Sequence, residues 1–143
     1  MSDTPIETSR PARNTREFRN INAVKDLPNY RLPAAGYVSI LHRISGFVMA
    51  LMLPLVVWML DQTLTSELSY AAFTGVFSAW YVKVVLIGLM WAFLHHLFAG
   101  IRHLLMDMHF GMTKEKSARS AIGVLITSLT LTIVVALKMF GVF

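Results

Sequence analysis

Cysteine is absent from all 143 residues, which excludes a disulfide, a thiolate metal site or a cysteine-held iron–sulfur centre in this chain. Any electron transfer here must use another kind of group. Charge is also scarce: Asp, Glu, Lys and Arg make up 15% of the chain, against 55% hydrophobic residues and a mean hydropathy of +0.57. That balance excludes an ordinary soluble domain. No charged residue falls between Ile44 and Leu60, between Val84 and Ile101, or between Ser120 and Leu137. Each stretch approaches the ~20 residues that cross about 30 Å of hydrocarbon. Helices buried in a soluble bundle would each keep a polar stripe, whereas these carry isolated polar positions. The expected fold class is therefore all-α, an integral membrane protein with three transmembrane helices. The first forty residues have no apolar run before Tyr37, so they do not read as a secretory signal. Asp3, Glu7 and Glu17 interrupt their arginines, unlike an acid-poor mitochondrial transit segment.

Two regions are expected: a cytoplasmic amino-terminal arm with an interfacial segment over 1–36, and a membrane anchor domain over 37–143. Pro5, Pro11 and the asparagines make residues 1–27 irregular, and Pro28 and Pro33 bracket a short segment, Asn29 to Leu32, at the interface. Helices are expected at about 37–60, 79–106 and 119–142, with Pro54 bending the first. Lysine and arginine mark the cytoplasmic side. Eleven of the thirteen basic residues fall in the arm, around 107–119, or at the helix ends with Arg43 and Arg102, whereas 61–79 holds none. The amino terminus is thus inside and the carboxyl terminus outside. Trp58, Trp80 and Tyr81 fall where an outer aromatic belt belongs, while Trp91 is expected against a partner or cofactor. The basic arm serves topology and anionic lipid; no nucleic-acid partner is expected.

The polar residues within the spans carry the chemistry. Ser39 and Arg43 are four apart and share a face of the first helix, with His42 beside them. Alone, Arg43 reads as a snorkelling lipid anchor; together the hydroxyl, imidazole and guanidinium suit a carbonyl-bearing, mostly apolar ligand. In the second helix His96, Gly100, His103 and Asp107 form one stripe, and His95 is rotated about 100° from it. A histidine at this depth either bonds between helices or ligates haem iron. Gly100 can leave room for a flat macrocycle or for a neighbouring helix. Arg102 and His103 can pair with haem propionates. His42 is expected too near the surface to face His96, which leaves the sixth iron ligand to another polypeptide. The third helix has no histidine and is expected to pack and anchor.

Ser39-Ile40-Leu41-His42-Arg43-Ile44-Ser45-Gly46 and His96-Leu97-Phe98-Ala99-Gly100-Ile101-Arg102-His103, followed by Asp107, resemble the succinate dehydrogenase cytochrome b subunit, the bacterial membrane anchor of respiratory complex II. The resemblance covers the first two helices, and the third agrees in character. It implies a bacterial cytoplasmic membrane location and a haem-binding helix bundle built with a second hydrophobic anchor subunit. It also implies that Ser39 and Arg43 line a ubiquinone site, and that His96 is the axial ligand of haem b. His103, with Arg102 or His42, would lie near the propionates. FAD and iron–sulfur clusters would reside in the flavoprotein and iron–sulfur subunits, so this chain would receive electrons for quinone without itself oxidising succinate. His95 beside His96 leaves two imidazoles to weigh; helical phase and the resemblance both favour His96. A fumarate reductase anchor, a haem-free structural anchor and a small transporter subunit are the alternatives. The last would need a polar path that the third helix, with only Thr127, Ser128, Thr130 and Thr132 before Lys138, does not offer.

Overall fold

A computed structural model describes residues 22–26 and 30–142. Its described residues are helical with no strand, and three helices are long and apolar enough to cross a membrane. The reading of 1–27 as irregular lies mostly outside the described residues. Within them, α1 (Ala23–Asp26) is a single turn of the unit Met1–Arg31, in which the Asn22 amide donates to Asp26 Oδ2 (2.8 Å). The second unit begins at Leu32 and holds the remaining helices: α2 (Ala34–Thr65), α3 (Glu67–Ser78), α4 (Trp80–Asp107) and α5 (Lys114–Met139).

α2 begins three residues earlier and ends five later than expected. Pro33, at φ −67°, sits at the N-cap, where its missing amide costs nothing and its carbonyl accepts from the Gly36 amide at 2.8 Å. At the far end the hydroxyls of Thr63 and Thr65 donate to the carbonyls of Leu60 and Asp61, both at 2.8 Å. Thirty-two residues extend about 48 Å, so this polar last turn projects beyond a hydrocarbon layer of about 30 Å. The helix is unbroken through Pro54.

The 61–79 segment contains a helix that the charge pattern did not reveal. Ser66 is extended at φ −159°, and its hydroxyl accepts from the Ser69 amide at 3.1 Å, starting α3. Twelve residues are too few to span. Phe73 meets Trp58 edge-on at 5.9 Å, tying α3 to α2. α5 ends at Met139, not at 142, because Gly141 adopts φ 73°. The Val142 amide then reaches back to the Leu137 carbonyl at 3.0 Å and closes the helix end.

The three spans meet along small side chains. Val38 of α2, Ala99 of α4 and Ala121 of α5 are fully buried, with Val124 beside them. α4 turns Ala92, His95, Ala99 and Arg102 inward, and α5 turns Ala121, Val124, Ser128 and Thr132 inward. Small residues let the backbones approach where lipid gives no hydrophobic drive for association. The hydroxyls of Ser128 and Thr132 donate back to the carbonyls of Leu125 and Ser128, so no polar group is stranded by them. Elsewhere large apolar side chains such as Phe47, Leu53, Val85 and Phe93 are exposed. Lipid or other membrane chains must cover them.

Candidate functional site

Three imidazoles come together between α2 and α4 at the end that the charge bias assigns to the cytoplasm. The rings of His42 and His96 stack with centroids 4.1 Å apart and planes inclined by 13°, and His103 lies 5.2 Å from His42. This corrects the expectation that His42 stands too near the surface to meet His96. With α2 starting at Ala34, His42 is two turns inside the helix, at the level where α4 crosses it.

His96 is held on one side only. Its Nδ1 lies 3.1 Å from the His42 carbonyl and 3.3 Å from Ser45 Oγ, while the Ser45 hydroxyl donates to the same carbonyl at 2.9 Å. A carbonyl can only accept, so Nδ1 carries the proton. The lone pair is then on Nε2, which makes no hydrogen bond among the described residues. Gly46 makes the placement possible: a β-carbon there would meet His96 Cε1 at 2.8 Å, closer than packed atoms tolerate. Gly100 is different, because a β-carbon would find His42 Nε2 at an ordinary 3.5 Å. The space beside Gly100 is thus held by the His42 imidazole.

This donor set fits one axial bond to a haem iron. A metal-ligating histidine usually gives its other ring N–H to a carbonyl or carboxylate, which fixes tautomer and ring direction, as at His96. No group of three or more His, Asp or Glu among the described residues is arranged to hold a bare ion. Stacked rings direct their lone pairs edgewise and not toward a shared point between them. His42 therefore cannot act as the second axial ligand to an iron on His96 in this geometry.

The other sequence candidates divide. Ser39 is half-buried and Arg43 exposed, on the same turn of α2 as His42; neither lines the cavity between α4 and α5 or the one between α2 and α4. Arg102 is not with the histidines. It is buried against α5, where Nε donates to Ser120 Oγ (3.0 Å) and Nη2 donates to the Ser117 carbonyl (3.2 Å) and hydroxyl (2.9 Å). Asp107 is exposed and forms no ion pair among the described residues. His95 is fully buried, 5.4 Å ring to ring from Trp91, and neither of its nitrogens makes a hydrogen bond among the described residues. The Val38 backbone approaches its ring without reaching hydrogen-bond geometry. Trp91 thus stands beside this chain's own His95, one turn along α4, and also lines a cavity between α2 and α4. Sequence reading passed over Ser45 and Gly46 as site residues, although their place three and four residues after His42 puts them on its face.

Residues 17–135 match the family model described as succinate dehydrogenase/fumarate reductase transmembrane subunit. The chain is 33% identical over 111 residues to a succinate dehydrogenase cytochrome b556 subunit of Paracoccus denitrificans, covering 78% of this chain and 85% of that protein. A protein of the same description from Coxiella burnetii (strain RSA 493 / Nine Mile phase I) is 37% identical over 104 residues, covering 72% and 83%. With its three spans and its conjunction of histidines, the chain belongs to the family of succinate dehydrogenase and fumarate reductase transmembrane subunits, as a cytochrome b-type membrane anchor.

Proposed function

We propose that the chain, lying in a bacterial cytoplasmic membrane, helps carry electrons from an iron–sulfur subunit to ubiquinone. In this reading it supplies one axial ligand, His96, to a haem b shared with a second anchor subunit. The observation that carries the reading is the His96 imidazole, fixed through Nδ1 inside a span, with an Nε2 that no described residue hydrogen-bonds. When bound, the haem would supply a one-electron carrier. His42 and His103 offer N–H donors on the same side for its propionates. Ser39, half-buried, and Arg43, exposed, present a hydroxyl and a cation on one face of α2, half a site that a partner completes. Ser39 donates to a quinone oxygen, and the Arg43 charge favours negative charge developing there. The flavoprotein subunit oxidises succinate; this chain provides the acceptor end.

Dithionite-reduced minus oxidised spectra of the purified assembly test the ligand. A low-spin b-type signal should vanish in His96→Ala and persist in His95→Leu. Loss in neither variant would remove His96 from the iron. Arg43→Ala should retain the haem signal while quinone reductase activity falls by about tenfold or more, the loss of one charged hydrogen bond. Unchanged turnover would sink the quinone assignment.

A further inference from the structure

A cavity of about 390 Å³ lies between α4 and α5, away from the histidine cluster. It falls within the roughly 300–1,000 Å³ usual for small-molecule sites. Phe98, Ile101, Leu105, Phe110 and Val124 make its walls apolar, and Arg102 is the one charged residue among them. On the α5 side Gly123 lines it, with open space where a side chain would be.

Arg102 is 6% exposed, yet its serine partners use only Nε and Nη2. Nη1 makes no hydrogen bond among the described residues, and no carboxylate of theirs pairs with the guanidinium. Asp107 and Glu115 are close in sequence to the groove's inner mouth, but neither lines it. A cation held in apolar surroundings by neutral hydroxyls and one carbonyl calls for an anion from outside. Lys114, Lys116 and Arg119, exposed on the first turns of α5, extend the positive field at the same end. The groove is therefore apolar along its length and cationic near its inner mouth, the polarity of a phospholipid.

We propose that the α4–α5 groove seats an acyl chain of one anionic membrane phospholipid, whose phosphate takes the unpaired Nη1 edge of Arg102. The inference does not depend on the haem or quinone assignment. It gives Arg102 a ligand other than the propionates, since its guanidinium is turned to α5.

The purified, detergent-stripped assembly is exposed to dioleoylphosphatidylglycerol and, separately, to dioleoylglycerol, which lacks the phosphate; retained lipid is counted by native mass spectrometry. One phosphatidylglycerol per chain should be retained and dioleoylglycerol should not. Gly123→Leu fills the groove without touching Arg102, and Arg102→Gln removes the charge; each should lower retention by about tenfold. The b-type spectrum of Gly123→Leu should be unchanged, which separates this site from the haem. Equal retention by Gly123→Leu and the parent, or equal retention of the two lipids, would overturn the proposal. So would a photocrosslinker at position 123 that captured a polypeptide in place of lipid.

Discussion

At the scale of single residues, two adjacent histidines have opposite surroundings because an α-helix turns about 100° per residue. His96 lies over Gly46 with one nitrogen bonded, and His95 is fully buried beside Trp91 with neither nitrogen bonded among the described residues. A buried polar group without a partner costs about 1–3 kcal/mol, whereas an apolar residue of similar volume avoids that cost. His95→Leu should therefore leave the thermal midpoint in detergent unchanged or raised. His95→Ala should lower it, since a cavity in a packed core costs roughly 2–5 kcal/mol. The glycines give a sharper test. Gly→Ala within a helix ordinarily stabilises by about 1 kcal/mol, but at Gly46 the new methyl must displace the His96 ring and break its bond to the His42 carbonyl. Gly46→Ala should lose most of its haem, measured as haem per protein. Gly100→Ala should keep it, because the new contact with His42 is an ordinary 3.5 Å.

At the scale of the helices, α5 is fastened to α4 near both ends. Arg102 holds Ser117 and Ser120 near the inner end. At the outer end Lys83 Nζ donates to the Met139 carbonyl at 3.1 Å and stands 5.5 Å from the Phe140 ring centroid. Lys83→Met should cost about 1 kcal/mol, given partial exposure, and lower the thermal midpoint by about 2–4 °C in a chain of this size. An unchanged midpoint would mean that the outer fastening contributes nothing. The three spans were legible because uncharged runs of this length have few other physical explanations. Their ends were less so: a span's polar last turns, such as Thr63 to Thr65, read like loop until their hydroxyls are seen bonding their own helix. α3 escaped because hydropathy does not distinguish a short helix from a connecting loop, though Ser66 followed by Glu67 was an available start signal. The stacking of His42 on His96 was hidden for another reason. Periodicity gives each helix's rotational phase and says nothing about how far one helix slides along another. Phase alone could have separated Arg102 from His103, since Ala92, His95, Ala99 and Arg102 follow the three-and-four spacing of one face.

At the scale of the whole molecule, the spans bury little against one another: only 6% of the most apolar window of α2 is covered by the chain itself. The exposed face must meet lipid or another subunit, so the chain's orientation decides which compartment the Ser39–Arg43 strip serves. The bias of lysine and arginine places that strip, the 108–113 turn and the start of α5 inside, with α3 outside. The missing cysteine makes this directly measurable, because a single introduced thiol has no native background. Glu67 and Lys116 are both exposed and belong to opposite ends of the spans. With a membrane-impermeant maleimide on intact spheroplasts, Glu67→Cys should label at once and Lys116→Cys only after lysis. The reverse pattern would put Arg43 on the outer face. An electron donor docked on the cytoplasmic side could then not reach quinone at Ser39, and the proposed function would fail on topology alone, whatever the haem spectrum showed.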